Sequence, residues 1–235
     1  MMLSMTFVAF LLLAIALTTI AIANAYQRGI MLSNVNIAGR VVATDLQRTI
    51  SQAPATQTIQ FGTTITSTGG ALCLGTYSYI WNNGKDLQAG SPGLIKYGAG
   101  PNSGKPVRLA KVLDTTKSEC PSTGPVPSPG IFGSIPVELL PNDGANSYNG
   151  LALQTTGTGG TAQQALMISS TPVLSDATQA MYQVVFTLGT NDQNALNTTQ
   201  ANAPSCQPPS SSNSNLNYCA VNQFVFYVRT GGGAS

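Results

Sequence analysis

The first 51 residues constrain this chain most, because their pattern predicts one helix with two different halves. Residues 1–27 carry no charged side chain, and their polar side chains are hydroxyls and amides. About 20 apolar residues are enough for a helix to cross a bilayer, so this segment can span a membrane. Loosening of the helix is expected at Thr18, Thr19 and Gly29, because hydroxyls compete for backbone partners and glycine weakens helices.

The pattern changes after Arg28, where apolar residues recur at intervals of three or four, as on one face of a helix. This face consists of Met31, Val35, Ala38, Val42, Leu46 and Ile50. Polar residues such as Arg40 and Arg48 lie off it. A helix over residues 1–51 would be roughly 75 Å long, far more than a membrane needs. Its second half, residues 28–51, is therefore predicted to pack on protein.

Two simpler interpretations of the N-terminus remain open. The small residues at 23–25 before Tyr26 fit the cleavage pattern of a secretory signal peptide. However, no Lys or Arg precedes the apolar run, and the helical periodicity continues through the proposed cleavage point. A plain single-span anchor is the other alternative, but it gives no reason for the amphipathic continuation.

The remainder of the chain, residues 52–235, predicts one globular head of ordinary domain size. Charged residues make up only 8% of the chain, and the net charge is +2. The 10 basic residues are dispersed rather than clustered. A nucleic-acid partner is therefore not expected.

The cysteines indicate the compartment of the head. Cys73, Cys120, Cys206 and Cys219 allow three pairings, and no pair has the Cys-x-x-Cys spacing of a zinc site. Together with a membrane-length segment, they predict disulfide bonds in a head outside the cytoplasm, where such bonds persist. Four reduced, buried thiols are the alternative.

Catalytic chemistry is not expected. The chain has no histidine, which excludes nucleophile–histidine systems, and its carboxylates are scattered. The glycine run at 157–160 lacks the lysine and the context of a phosphate loop. The turns around Asp143 and Asp192 each offer one carboxylate, fewer than calcium sites use. We therefore predict no enzyme, no cofactor and no metal site, and Asn197 begins only a formal glycosylation sequon.

Strands joined by turns and long loops are predicted for the head. Residues 71–81 have strand composition, residues 82–84 (Asn-Asn-Gly) signal a hairpin turn, and residues 107–113 fit the returning strand. Residues 151–155 and 165–169 flank a glycine-rich tip and predict a second hairpin. Further strands are expected at residues 135–140, 181–188 and 223–228. One long helix followed by these strands is an α+β architecture.

These features resemble the type IV pilin family, including the pseudopilins of type II secretion. Residues 6–20 resemble the hydrophobic half of a pilin helix, and residues 38–40 and 45–48 resemble its second half in larger, minor-pilin-like members. Residues 73–82 are similar to a stretch in pilins of ultrasmall bacteria that live attached to other bacteria. The family fold is a long N-terminal helix packed on an antiparallel sheet. The basic leader and helix-start glutamate usual in pilins are missing from this sequence.

The resemblance implies a structural subunit of an extracellular type IV pilus, a homo-oligomeric filament that supports adhesion or twitching motility. The subunit would wait in the inner membrane until the pilus assembly machinery moves it into the filament, which could meet a host-cell surface. The implied filament-core residues are Phe7, Phe10, Leu11, Leu13, Ala14, Leu17, Ile20 and Ala21. Those implied to pack on the sheet are Val35, Ala38, Val42, Leu46 and Ile50.

Two alternatives accompany this assignment. Within the family, the chain could be a minor or secretion-type pseudopilin at the end of a short filament. Outside it, the chain could be a membrane-anchored adhesin whose head binds a host glycan or protein at an aromatic cluster near Trp81. The pattern favours placing Trp81 in the core of the first hairpin rather than on a sugar-binding platform.

We expect Cys206 to pair with Cys219 and Cys73 to pair with Cys120. The short loop between Cys206 and Cys219 keeps the two cysteines near each other in the unfolded chain, and the bond is expected to stabilise the head by about 3 kcal/mol. The other bond would hold the proline-rich loop that follows Cys120. Non-reducing peptide mapping checks both pairings. A peptide linking Cys73 to Cys206 or Cys219, or four alkylatable thiols in the native protein, would contradict them.

Overall fold

One long helix, one short helix and fourteen strands make up the described part of the computed structural model of the chain. It describes residues 2–53, 60–66, 69–74, 76–90, 93–98, 100–115, 130–131, 136–140, 150–154, 166–168, 173–175, 180–191, 196–197, 205–206 and 219–231. The helices are α1 (Met2–Gln52) and the short α2 (Gly84–Ala89). The strands are β1 (Gln60–Thr66), β2 (Gly69–Cys73), β3 (Tyr77–Asn82), β4 (Lys96–Tyr97), β5 (Leu109–Leu113), β6 (Gly130–Ile131), β7 (Val137–Leu140), β8 (Leu151–Leu153), β9 (Leu166–Ile168), β10 (Leu174–Ser175), β11 (Ala180–Thr190), β12 (Leu196–Asn197), β13 (Ser205–Cys206) and β14 (Val221–Arg229). The predicted α+β architecture is confirmed.

Helix α1 is unbroken, so the loosening expected at Thr18, Thr19 and Gly29 does not occur. The Thr18 hydroxyl lies 3.1 Å from the Ala14 carbonyl oxygen, and the Thr19 hydroxyl lies 3.0 Å from that of Ile15. Both hydroxyls thus add hydrogen bonds to carbonyls of the preceding turn instead of displacing the helical N–H groups. The threonines satisfy their polar groups within the helix.

The first sheet is antiparallel and has the strand order β1-β2-β3-β5-β7. Residues 71–81, predicted as one strand, instead contribute to two strands of a hairpin, β2 and β3. The turn lies between Leu74 and Tyr77, where the Leu74 N–H donates to the Tyr77 carbonyl at 2.8 Å. The residues on both sides of this turn have strand composition, so the turn could not be recognised from composition. The returning strand predicted at residues 107–113 is present as β5, beside β3.

The Asn-Asn-Gly segment does not form the predicted hairpin turn. Asn82 ends β3, and its buried side-chain amide donates to the carbonyls of Ile95 and Val107 at 2.8 and 2.7 Å. The Asn82 side-chain oxygen accepts the Ile95 N–H at 2.9 Å. Asn83 then precedes α2 as its N-cap residue. These hydrogen bonds fix the segment around residues 94–107 across the sheet face opposite α1.

Strand β11 organises the second sheet. It pairs antiparallel with β14 along one edge, and with β8, β9 and β10 in succession along the other. The hairpin predicted between residues 151–155 and 165–169 is therefore wrong, because β8 and β9 pair with β11 rather than with each other. Strand β11 is longer than either segment, so both find hydrogen-bond partners on it. The strands predicted at residues 181–188 and 223–228 are present as β11 and β14.

The second half of α1 lies against both sheets and forms the main core with them. Val35, Val42, Leu46 and Ile50 are buried, and Ala38 is partly buried. Their neighbours in the same apolar cluster include Leu72, Tyr79, Trp81 and Leu109 of the first sheet and Val184, Phe186, Leu188 and Val228 of the second. A single core therefore joins the helix to the two sheets.

The direction of α1 relative to the second sheet is fixed at two points. The Asn222 side-chain amide donates to the Asn36 side-chain oxygen at 2.7 Å, and the Gly231 N–H donates to the Ala53 carbonyl at 3.1 Å. The contacts occur in the same order along both segments, so α1 and β14 run in the same direction. The apolar first half of α1 consequently leaves the head at the end where β14 begins.

Gly39 of α1 lies directly against the Phe224 ring of β14. A methyl group at Gly39 would overlap the Phe224 ring. That ring is stacked on Phe186, with ring centroids 5.0 Å apart, so a neighbouring aromatic side chain restricts its movement. Gly39 therefore sets the distance between the helix and the second sheet.

We expect Gly39→Ala to lower the free energy of unfolding of the head by about 1–3 kcal/mol, because the added methyl group overpacks the core. Gly29→Ala is the matched control, since a Cβ at Gly29 meets no atom within 4 Å and alanine favours the helix by about 1 kcal/mol. Urea unfolding of the full chain in detergent, followed by the fluorescence of the buried Trp81, measures both. Equal stability of the two variants would show that Phe224 does not limit the helix position.

Candidate functional site

The first half of α1 is the most unusual surface of the described part of the chain. Every residue from Met5 to Ile30 is exposed, on all sides of the helix. The larger residues implied to form a filament core are between 48% and 73% exposed, and the two alanines are exposed as well. These residues are Phe7, Phe10, Leu11, Leu13, Leu17 and Ile20, with Ala14 and Ala21. No part of the described head covers them.

This half of α1 is long and apolar enough to cross a membrane. Its most apolar stretch of 18 residues has a mean hydropathy of 2.5, and none of that stretch is buried. A signal sequence at the N-terminus of a chain has the same property. At 1.5 Å per residue, the stretch from Met5 to Ile30 is about 39 Å long, compared with about 30 Å for the hydrocarbon core of a bilayer. The stretch is therefore long enough to cross the hydrocarbon core, by length and composition alone.

A polar cluster fixes the second half of α1 to the first sheet. The Lys111 ammonium lies 3.1 Å from one Asp45 carboxylate oxygen and donates to the Thr49 hydroxyl at 2.8 Å. The Tyr79 hydroxyl donates to the other Asp45 oxygen at 2.7 Å. The Lys111 ammonium also lies 4.6 Å from the centre of the Tyr77 ring, within cation–π range. We call Asp45, Thr49, Tyr79 and Lys111 the helix–sheet clamp.

The clamp keeps Tyr79 neutral. Burial, reinforced by the adjacent Asp45 carboxylate, raises the pKa of the Tyr79 phenol well above its ordinary value of about 10. Both oxygens of the Asp45 carboxylate have a donor, Lys111 on one side and Tyr79 on the other. Charge-assisted hydrogen bonds of this kind are stronger than neutral ones. The clamp therefore resists separation of the helix from the sheet.

No metal-binding group of side chains is formed by the described residues. Among them, no group of three or more cysteine, aspartate or glutamate side chains could hold a metal ion, and the chain has no histidine. Trp81 is buried in the main core, so its ring is not available to stack on a sugar. The turns predicted around Asp143 and Asp192 lie outside the described residues.

The cysteines lie in the head. Cys206 and Cys219 form a disulfide bond, as predicted, and this bond joins β13 to the start of the segment that leads into β14. Cys73 is also disulfide-bonded. Its predicted partner, Cys120, lies outside the described residues.

Neither the clamp nor the contact at Gly39 can be predicted from a local sequence pattern. Lys111 and Asp45 are separated by 66 positions in the chain, and no local pattern connects them. For Gly39 and Thr49, the helical spacing alone indicates a position on the buried face of α1. Gly39 follows Val35 by four residues and Thr49 follows Val42 by seven, so both continue the buried face of α1 with small side chains.

Comparison with known proteins does not assign the chain to a family. No family model, curated protein or solved structure matches the chain. Inferences about function therefore rest on the exposed half of α1, on the packing of its second half and on the disulfide bonds of the head.

We expect Tyr79→Phe to lower the free energy of unfolding by about 1.5–3 kcal/mol at pH 7–9, because a hydrogen bond to a charged group is lost. The raised pKa of Tyr79 stabilises the folded state below pH 10 and ceases to do so as the pH rises further. The difference between wild type and Tyr79→Phe should therefore shrink by about 1.4 kcal/mol per pH unit above 10. Unfolding curves between pH 7 and pH 11 measure it.

The control is Tyr227→Phe, which removes an exposed phenol oxygen that accepts a hydrogen bond from the Gln183 side-chain amide at 3.3 Å. We expect this variant to lose less than about 0.5 kcal/mol and to follow the wild type at every pH. A constant gap between wild type and Tyr79→Phe up to pH 11 would contradict the role given to the buried phenol.

Proposed function

We propose that this chain is a structural subunit of an extracellular filament of the type IV pilus kind. The observation that supports this best is the division of α1, an unbroken helix with one half exposed and apolar and the other half fixed to a head. In the membrane, lipid would cover the apolar half, between residues 5 and 27. In the filament, the helices of other copies would cover the same surface.

The hydrophobic effect does not oppose such a transfer. Lipid tails are as apolar as leucine, so moving the helix from lipid to a bundle of helices costs little hydrophobic free energy. Small residues let helix backbones approach closely in such bundles. Ala14, Ala16, Ala21 and Ala23 provide such positions on the exposed half of α1. The hydroxyls of Thr18 and Thr19 already donate to helix carbonyls, so these two threonines bring no unsatisfied polar group into the bundle.

The disulfide bond between Cys206 and Cys219 supports a head outside the cytoplasm, because such bonds persist in oxidising compartments. The head and the apolar half would then lie in different surroundings before assembly. The stiffness of α1 matters here, because an unbroken helix holds the head at a fixed distance from the membrane.

To test assembly, the full chain is purified in detergent, the detergent is removed, and the sample is imaged by electron microscopy. We expect filaments with residues 5–27 in a central bundle. A wild-type protein that stays monomeric or dimeric, with no filament bearing it, would refute the proposal. Immunogold labelling confined to filament tips would instead identify a minor or secretion-type pseudopilin.

A charge in the exposed half should separate membrane insertion from assembly. Leu13→Glu is expected to remain in the membrane fraction. One charge costs about 3 kcal/mol in a membrane helix, and the other apolar residues of this helix outweigh that cost. In a dry bundle of helices, the same charge has no partner, so filament yield should fall at least about tenfold. Leu13→Met, which nearly conserves volume, is the control and should assemble normally. Normal filament yield from Leu13→Glu would contradict a buried position for Leu13.

A further inference from the structure

Three side chains of different chemistry meet where the segment around residues 94–107 reaches the end of the first sheet. Glu138 lies in β7, the last strand of that sheet, and pairs with Ala110 of β5. Successive residues of a strand point to opposite faces, and Lys111 points towards α1, so Ala110 and its partner Glu138 lie on the face opposite α1. The segment around residues 94–107 crosses this face, and its Asn102 meets Glu138 there.

The Asn102 side-chain amide lies between a carboxylate and an amine. Its NH2 group donates to a carboxylate oxygen of Glu138, and its oxygen accepts a hydrogen bond from the Lys105 ammonium at 3.1 Å. An amide has its donors on the nitrogen and its acceptor on the oxygen, so only this orientation satisfies both neighbours. The amine of Lys105 is thus next to the amide carbonyl, and the carboxylate is next to the amide nitrogen.

A tight turn holds the amine and the amide together. The Lys105 N–H donates to the Asn102 backbone carbonyl oxygen at 2.9 Å, which closes a four-residue turn. Gly104 lies in this turn with a φ of 80°, a conformation that residues with a side chain rarely adopt. The side chains of Asn102 and Lys105 therefore remain neighbours as long as the turn is folded.

Tyr97 anchors the turn from the inner side. The Tyr97 N–H donates to the Lys105 carbonyl oxygen at 3.0 Å, and the Gly104 N–H donates to the Tyr97 carbonyl oxygen at 2.8 Å. The Tyr97 ring is buried, and this burial, together with the nearby charge of Glu138, raises the pKa of its phenol. Asn102, Lys105 and Glu138 are themselves half-buried. Protein therefore shields the three groups from part of the surrounding water.

We propose that the side chains of Lys105 and Asn102 become joined by an amide bond, which the folded protein forms itself with Glu138 as the proton carrier. The Lys105 nitrogen bonds to the side-chain carbonyl carbon of Asn102, and the bond from that carbon to the amide nitrogen breaks. Glu138 carries two protons, one after the other, from the lysine nitrogen to the departing nitrogen, to which it is already hydrogen-bonded. An ammonium ion leaves with the charge that Lys105 loses, and the carboxylate ends unchanged. This inference concerns the folded head and does not rest on the proposed filament.

The distances favour attack by the lysine nitrogen. A carbonyl bond is about 1.2 Å long, so the Lys105 nitrogen lies at most about 4.3 Å from the Asn102 side-chain carbonyl carbon. Rotation about the bonds of the lysine side chain is enough to bring these atoms to about 3–3.5 Å, the separation at which such reactions begin. Both reactants belong to one folded turn, so no bimolecular encounter is needed.

The new bond would close a covalent ring over residues 102–105. The turn holds a segment that supplies Ile95 and Tyr97 to the apolar cluster on the face opposite α1. The ring would keep this turn closed when the surrounding structure loosens. Thiols break disulfide bonds such as Cys206–Cys219 by exchange, but an amide bond does not react in this way. The head would therefore keep this crosslink under reducing conditions.

Mass spectrometry of the reduced full-length chain tests the inference. Trypsin does not cleave between Lys105 and Pro106, so both reacting residues stay in the peptide of residues 97–108. We expect this peptide to be about 17 Da lighter than its sequence, because ammonia is lost. Fragment ions from cleavage between residues 102 and 105 should be absent, since the ring holds both parts together. Acetylation of the denatured chain should modify Lys96 but not Lys105.

Two results would overturn the inference. One is a peptide of residues 97–108 with its full mass. The other is a lighter peptide in which Lys105 is still acetylated, because a succinimide at Asn102 also loses ammonia but leaves the lysine amine free. The wild-type chain alone gives this answer, so it does not depend on the folding of a variant.

Substitutions test the role of each group. Lys105→Arg keeps the positive charge without the amine and should abolish the crosslink. Glu138→Gln is similar in shape but cannot carry the protons, so the crosslinked fraction should fall at least about tenfold. Ser103→Ala is the matched control in the same turn, since the Ser103 hydroxyl donates to the Gly98 carbonyl at 3.3 Å, and it should crosslink like the wild type. Unchanged Trp81 fluorescence shows that the heads are folded, and an undiminished crosslink in Glu138→Gln would overturn the role of the carboxylate.

Discussion

The packing of the second half of α1 on two sheets is the interaction on which the rest of the structure depends. Its buried face supplies the centre of the main core, and residues of both sheets complete that core. Gly39 lets the helix approach Phe224 closely, and the clamp ties the other flank to Tyr79 and Lys111. The helix is thus held by apolar contact on one flank and by a charged network on the other. Without it, each sheet would expose its apolar face to water.

This packing also explains how one helix can have two roles. Because α1 has no break, the rigid attachment of its second half determines the direction and the distance at which the first half leaves the head. The first half contributes nothing to the core of the described head, so its sequence is free to suit lipid or other helices. The proposed filament uses this separation: the second half of α1 folds together with the head, and the apolar half is available to partners.

The clamp combines stability with a surface that suits an apolar neighbour. Its charges are paired at short distance, so the flank of α1 beside it presents Ile37 and Val41 rather than an unsatisfied group. A pair that is only partly exposed gains from its mutual attraction and avoids the desolvation cost of an isolated charge.

The sequence by itself determined the α1 helix, its division near residue 28 and the residues of its buried face, because helical periodicity is a local property. It also determined β11 and β14, which are rich in branched and aromatic residues, and it favoured the Cys206–Cys219 bond through a short loop. Only the tertiary structure decided the hairpin within residues 71–81, the position of Asn82 and the alignment of β8 and β9 along β11. These features, like the Lys111–Asp45 pair, depend on partners distant in the chain, and local composition does not specify which partner a strand or a charge will meet.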